Sequence, residues 1–281
     1  MARTFVVDKF DALGNDFLVL DLDAAALGDD ELDWAACARV WCDRTGGVGA
    51  DGLLLLRRID AGSARMRLVN SDGSHAEMSG NGARCFAHAL HRNDGDVHRG
   101  AAGEYVLHTA AGPRAVTVRA GSLPDTADAS VEMGVLTTIA APASWAKLGV
   151  HPDRPVEHVS VGNPHAVVGV EDVKVVNLES LGAQVPEVNL EIIEPGPEPD
   201  AITMRVHERG AGITQACGTG ACASAWAAVR WGLVAGGSTE VVGVTVHMPG
   251  GDARVTLNSP RVGECTLGGA SRYVGRFEVA G

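Results

Sequence analysis

The chain has 281 residues, enough for one large domain or two ordinary ones, and 46% of them are hydrophobic, so a sizeable core can form. Its formal net charge of −12 speaks against nucleic acid and anionic membrane as partners, since both need a basic surface. No apolar run reaches the roughly 18 residues of a spanning helix. The start is acidic rather than signal-like, so the expectation is a cytoplasmic protein whose six cysteines stay reduced.

From the N-terminus, "RTFVVDKFDALGNDFLVLDL" (3–22) alternates and is β-branched, which predicts two strands joined at Gly14-Asn15. "DELDWAACARVWCDR" (30–44) has near-3.6 apolar spacing and acidic residues in its first turn, which predicts a helix. A Gly-rich loop at 46–52 precedes the strands "GLLLLRRID" and "ARMRLVN". "YVLHTAAGPRAVTVRAG" predicts a hairpin turning at Gly112-Pro113. "VEHVSVGNPHAVVGV" is a further strand pair and "AITMRVHERG" a strand. "EVVGVTVHMPGGDARVTLN" is a hairpin turning on Pro249-Gly250-Gly251.

The order is mostly strands, with one Ala-rich helix in each half. Those helices open on a repeated motif, "EMSGNGARCFAHAL" (77–90) and "QACGTGACASAWAA" (215–228). Ser79 and Cys217 stand about half the chain apart. At the same offset upstream of each, near a strand end, stand Asn70 and Glu208. Two matching halves point to duplication and a pseudo-twofold arrangement, in which both helix starts face one cleft. The weakest stretch between the halves is "AGSLPDTADAS" (120–130).

A helix start presents unpaired N–H groups and partial positive charge, and its glycines let a ligand approach the backbone. Two such starts make a cradle for a carboxylate. A cysteine there is expected to have a lowered pKa and to react first with electrophiles. Two proton-handling groups, Ser79 and Cys217, acting on opposite faces of one carbon suit stereoinversion. Cys37, Cys42, Cys85 and Cys222 read as core residues, and no metal-ligand pattern accompanies them. "GVGADG" (47–52) and "GTGACA" (218–223) imitate nucleotide fingerprints without the strand–turn–helix context. No lysine is placed for a pyridoxal Schiff base. Neither a cofactor nor a metal is therefore expected.

"NSDGSHAEMSGNGARCFA", "VGNPHAVV" and "HERGAGITQACGTGACA" resemble the signature blocks of the diaminopimelate epimerase family, as do "DALGNDFLVLD" and "GVGADGLLLL" nearer the start. The likeness spans nearly the whole chain, in order. It implies a cofactor-independent epimerase interconverting LL- and meso-diaminopimelate, for lysine and peptidoglycan synthesis. It also implies an α/β (α+β) fold of two pseudo-symmetric domains, each a curled, mainly antiparallel sheet around a central helix. These domains would be residues 1–123, completed by 269–281, and residues 124–268. A homodimer is a candidate assembly, and the partner is a small amino-acid substrate.

By the same resemblance Cys217 matches a catalytic thiol, Glu208 the carboxylate assisting it, and His165 the partner of the other catalytic group. Arg209 matches a substrate-carboxylate ligand, and Asn15, Asn70, Asn163 and Asn189 match substrate-holding side chains. Backbone N–H groups around Gly80, Asn81, Gly218 and Thr219 would hold the reacting carboxylate. The departure is Ser79, where the family usually has a second cysteine. Gly52 likewise replaces a polar residue. Ser79 leaves three readings open: an engineered inactivating or trapping change, a natural Ser/Cys variant with impaired or asymmetric rates, or a relative with changed chemistry, such as a racemase, epimerase or dehydratase of another amino acid. The non-enzyme alternative is a non-catalytic amino-acid-binding relative.

Overall fold

The computed structural model describes residues 3–95, 101–235, 241–259 and 262–281. Met1, Ala2 and Glu240, which belong to segments read from the sequence above, lie outside the described residues. The chain divides into two compact units, Met1–Val131 with Gly269–Gly281, and Glu132–Gly268.

In the first unit, β1 (Thr4–Ala12) and β2 (Asn15–Asp21) form a hairpin. Its turn residues are Leu13 and Gly14, with φ of 61° and 78°, rather than the expected Gly14-Asn15. Asn15 instead pairs with Ala12 and opens β2. The expected helix of 30–44 shortens to α1 (Trp34–Trp41). Asp33 caps it by accepting from the N–H of Ala36 at 3.0 Å, a contact generally worth about 1 kcal/mol. Asp43 then takes the N–H groups of Thr45 and Gly46 and turns the chain out of the helix.

β2 pairs in parallel with β3 (Gly52–Asp60), and β3 pairs antiparallel with β4 (Ser63–Asn70). The short β5 (His75–Ala76) leads into α2 (Gly80–Asn93). β6 (Gly103–Thr109), β7 (Gly112–Ala120) and β8 (Thr126–Val135) continue the sheet. The hairpin expected to turn at Gly112-Pro113 turns at Ala110-Ala111, because Thr109 pairs with Gly112 and His108 with Pro113. Gly112 absorbs the bend at φ 94°.

The second unit holds β9 (Thr137–Thr138), β10 (Val156–Ser160), β11 (Pro164–Gly169), α3 (Leu178–Gly182), β12 (Asn189–Pro195), β13 (Ala201–Glu208) and β14 (Gly212–Thr214). α4 (Gly218–Arg230), β15 (Val242–Met248), β16 (Gly251–Ser259) and the first part of β17 (Glu264–Ala280) complete it. β11 and β12 pair in parallel, as β2 and β3 do, and the flanking pairs are antiparallel in both units. The remainder of β17 pairs with β1.

α2 packs on β1, β2, β3, β4, β6 and β7, and α4 packs on β10, β11, β12, β13, β15 and β16. Those two sets occupy the same places in the two strand orders. Each unit is thus a curled, mainly antiparallel sheet around one helix, the mixed α/β architecture expected from the sequence. Ala-rich helix faces let the sheet close tightly. Ala83, Phe86, Ala87 and Leu90 of α2 and Ala221, Ala225 and Ala228 of α4 are fully buried. Among the described residues, no helix is long and apolar enough to cross a membrane.

Candidate active site

Both motifs place their variable residue at the N-cap. Ser79 has φ −136° and ψ 126°, and its Oγ accepts from the N–H of Gly82 at 3.0 Å. Cys217 has φ −129° and ψ 113°, and its Sγ accepts from the N–H of Gly220 at 3.4 Å. The N–H groups of Gly80 and Asn81, and of Gly218 and Thr219, then lack acceptors within their helices and point outward. Each helix start carries the partial positive charge that favours an anion.

In the first unit the candidate asparagines form a directed chain. The buried Arg84 donates to Asn81 Oδ1 at 2.6 Å, and Asn81 donates to Asn15 Oδ1 at 3.4 Å. Asn15 donates to Asp51 Oδ2 at 2.7 Å. Arg44 bridges Asp51 and Asp16, and Lys9 also meets Asp16, at 2.8 Å. Burial pushes the Asp16 carboxyl up, but Arg44 and Lys9 outweigh it and hold it below the usual range. Asn70 stands apart from this chain: its amide donates to Ser74 Oγ and closes the turn after β4. Gly52 faces Asn70 across the β3–β4 ladder, and a Cβ there would lie 2.9 Å from the carbonyl oxygen of Val69. A side chain there would push against the Val69 backbone and Leu68, so packing favours glycine at this position.

In the second unit, Asn163 donates to Thr219 Oγ1 at 3.2 Å, and its Oδ1 lies 3.0 Å from His165 Nε2. Thr219 Oγ1 lies 3.5 Å from Cys217 Sγ. Asn189 donates to the carbonyl of Pro164 at 3.2 Å and accepts from the N–H of Arg209 at 2.9 Å. Glu208 Oε1 accepts from the Thr214 hydroxyl at 2.5 Å. Cys217, Thr219, Asn163 and His165 are therefore joined, with Asn189 and Arg209 linked to each other alongside.

Sequence reasoning missed Glu191. Its side chain is fully buried, and its Oε1 lies 2.7 Å from His165 Nδ1. A Cβ on Gly220 would sit 2.6 Å from that same oxygen and 3.3 Å from Cys217 Sγ. The only signal was a single Glu inside the apolar run "NLEII" (189–193). Asp51 and Arg84 were missed as well, although both lie inside motifs that were noticed.

The expected lowering of the Cys217 pKa is reversed. Burial pushes the thiol well up, and negative charge on Glu208 or Glu191 adds to it. Thr219 and the N–H of Gly220 oppose them without winning. The helix start is too weak a competitor: it is worth at most about 2 kcal/mol. Cys217 is thus a thiol at neutral pH in the substrate-free chain.

Gly220 is the site's tightest point. Gly220→Ala is expected to cost on the order of 1–3 kcal/mol of stability through overpacking against Glu191. It should also lower activity at least about tenfold by displacing the sulfur. Thermal unfolding and a turnover assay check both, and an unchanged turnover would show that Sγ placement is not critical.

The model of the family described as diaminopimelate epimerase matches residues 9–139 and 158–272. That span includes every side chain placed above. The chain is 39% identical over 277 residues to the diaminopimelate epimerase of Thermosynechococcus vestitus, covering 90% of this chain and 91% of that one. It is 39% identical over 258 residues to the diaminopimelate epimerase of Desulfitobacterium hafniense, covering 87% and 88%. Among solved structures, it resembles a phenazine biosynthesis protein of the PhzF family from Bacillus anthracis, with a TM-score of 0.73, 17% identity and 99% of each chain covered. It also resembles a hydroxyproline epimerase from Agrobacterium vitis, with a TM-score of 0.68, 17% identity and 99% and 91% covered. These likenesses carry the fold, and the sequence relatives carry the family: the chain belongs to the diaminopimelate epimerase family.

Proposed function

We propose that this chain is a cytoplasmic epimerase that interconverts LL- and meso-diaminopimelate, using Cys217 and Ser79 as the proton-handling residues for the two faces of the α-carbon. The observation that carries the reading is the repeated helix start, with a side chain able to carry a proton at each N-cap. The free N–H groups beside each would accept the charge that spreads onto the substrate carboxylate as the α-proton leaves. Glu208, whose charge acts on Cys217, would take the thiol proton when sulfur serves as base. Arg209 and Asn189 would hold a carboxylate and an ammonium group, and Asn15, Asn70, Asn81 and Asn163 would hold the remaining polar atoms. By the family resemblance, His165 would be the partner of the proton-handling group on the Ser79 side. Every proton transfer is assigned to a protein group, so neither a cofactor nor a metal enters the scheme, and a homodimer is the assembly to test by sedimentation.

The test is incubation of LL-diaminopimelate with the purified chain in deuterated buffer, with nothing added. Formation of the meso isomer carrying α-deuterium supports the reading. Saturable binding without deuterium entry would leave only a binding protein, and exchange on a different amino acid would redirect the substrate.

Reactivity gives a second check. Cys37 is half-buried, whereas Cys42, Cys85, Cys217, Cys222 and Cys265 are buried. Burial holds Cys42 and Cys85 up near about 12. A general alkylating reagent is therefore expected to label Cys37 first at neutral pH, contrary to the reading from sequence. An aziridine analogue of the substrate should label Cys217 first. Site-resolved mass spectrometry separates these outcomes, and Cys217 unlabelled by the analogue would remove it from the mechanism.

A further inference from the structure

The polar chain behind Cys217 runs from Sγ to Thr219 Oγ1, Asn163, His165 and Glu191 Oε1. Its donors and acceptors limit where the hydrogens can lie. Asn163 gives its amide N–H to Thr219, so its Oδ1 faces His165 Nε2 and requires a hydrogen on that nitrogen. Thr219, accepting from Asn163, keeps its own hydrogen available to donate to Sγ when the thiolate forms. A hydrogen must also lie between His165 Nδ1 and Glu191 Oε1, since two bare acceptors at 2.7 Å would repel.

That proton could reside on either partner. Glu191 Oε2 is buried and has no hydrogen-bond partner among the described residues. A carboxylate would leave half its charge on an unsolvated oxygen, whereas a carboxylic acid leaves only a neutral carbonyl there. Burial, the largest influence on Glu191, acts in the same direction and raises its pKa, with Glu208 adding to it and His165 opposing. The titratable groups acting on Glu191 are His165 from β11 and Glu208 from β13, and those acting on Cys217 are Glu208 and Glu191.

The other unit sharpens the point. Phe17 pairs with Gly52 and Val19 with Leu54, in the register where His165 pairs with Asn189 and Val167 with Glu191. Beneath the Ser79 helix start, a Cβ on Gly82 would meet the Phe17 ring at 3.5 Å, where one on Gly220 meets Glu191. Among the described residues, the cysteine side carries an acid–imidazole pair where the serine side has the Phe17 ring.

We infer that Glu191 is a neutral carboxylic acid that donates to His165 Nδ1 and, through His165, Asn163 and Thr219, aims a hydrogen bond at Cys217 Sγ. It is a positioning residue for the thiol. It locks the Nε2–H tautomer of His165 and keeps a second full negative charge away from the sulfur when the thiolate forms. The inference rests on the reading that Cys217 handles a substrate proton.

The test compares the unaltered protein with E191Q and E191L. The infrared band of a protonated carboxylic acid is expected at neutral pH and should be missing in E191Q. Glutamine also donates to Nδ1 and is neutral, so kcat/KM in E191Q, which reports the free enzyme, should stay within about threefold of the unaltered value. E191L leaves Nδ1 unpaired and should lose at least about tenfold. At high pH, loss of the Glu191 proton should depress kcat/KM in the unaltered chain, and E191Q should lack that descent.

Stability carries the same sign. A carboxyl whose folded pKa is raised loses stability as pH climbs from the unfolded value, about 4.3, toward the folded one. E191Q abolishes that loss and should unfold at a higher temperature at neutral pH. If no acid band disappears in E191Q and its reactive thiol ionises about tenfold more readily at neutral pH, Glu191 is a carboxylate and the inference is wrong. Failure of the underlying reading looks different: Cys217→Ser would then epimerise normally whatever residue 191 is.

Discussion

Replacing Cys217 with alanine is expected to lower epimerisation and α-proton exchange by about 10²- to 10⁴-fold, while substrate affinity changes only a few fold. Sγ is the one atom at this helix start that can take a proton from carbon, whereas the carboxylate cradle is made of backbone N–H groups that alanine leaves in place. Alanine also removes an N-cap, which costs about 1 kcal/mol of stability. That loss is small against the kinetic effect, and Cys217→Ser separates the two. A serine keeps the cap, as Ser79 Oγ does toward Gly82 at 3.0 Å. If the serine variant folds normally yet loses turnover as deeply as the alanine variant, the sulfur is acting in proton transfer. Retention of more than about a tenth of the activity in both variants would remove Cys217 from the proton path.

Much of this arrangement was readable in the sequence, for physical reasons that also explain what was not. The Gly-x-Gly after Ser79 and Cys217 encodes a tight approach, so the two N-caps and their helices could be placed from spacing alone. The matched offsets of Asn70 and Glu208 reflect their common position at the end of β4 and β13, each followed by a short strand and then the helix. Local turns were less secure, because Leu13 occupies a positive-φ position that propensity assigns to glycine or asparagine. The ionisation of Cys217 lay beyond reach for a different reason. Its sign is set first by burial, with negative charge on Glu208 or Glu191 adding to it, and burial is a product of the folded sheet rather than of the local motif. A lone Glu among Leu190, Ile192 and Ile193 gives no hint of its partner, because His165 arrives from the neighbouring parallel strand. Gly52 illustrates the converse. Its missing side chain is a departure from the family pattern that the sequence leaves unexplained, and in the fold it answers to the carbonyl of Val69.

Ser79→Cys is expected to raise turnover at least about tenfold and to even out α-proton exchange between the two stereoisomers. A two-base epimerase needs one group deprotonated and the other protonated in each direction. With Cys217 as base and Ser79 as acid, removal of the proton from the cysteine face remains feasible. Removal from the serine face demands an alkoxide. A helix start contributes at most about 2 kcal/mol, or roughly 1.5 pKa units, which leaves a hydroxyl far from neutrality. A thiol begins near 8.5, several units nearer neutrality than a hydroxyl, so a base and the helix start together can reach it. Beneath Ser79, moreover, Phe17 occupies the register position that His165 holds in the other unit, so no buried acid–imidazole pair assists the hydroxyl from its own sheet. The backbone is already suited to sulfur. Ser79 and Cys217 share near-identical N-cap dihedrals, and the longer thiol reaches its Gly220 N–H at 3.4 Å without distortion of the helix start. The measurement is deuterium entry into each stereoisomer separately, before equilibrium, in the unaltered chain and in the variant. Slow, one-sided entry that becomes fast and even with Ser79→Cys would place Ser79 in the proton path. If rate and asymmetry stay as they are, the helix start at Ser79 serves only as a carboxylate cradle, and the second face of the substrate is protonated by some other group.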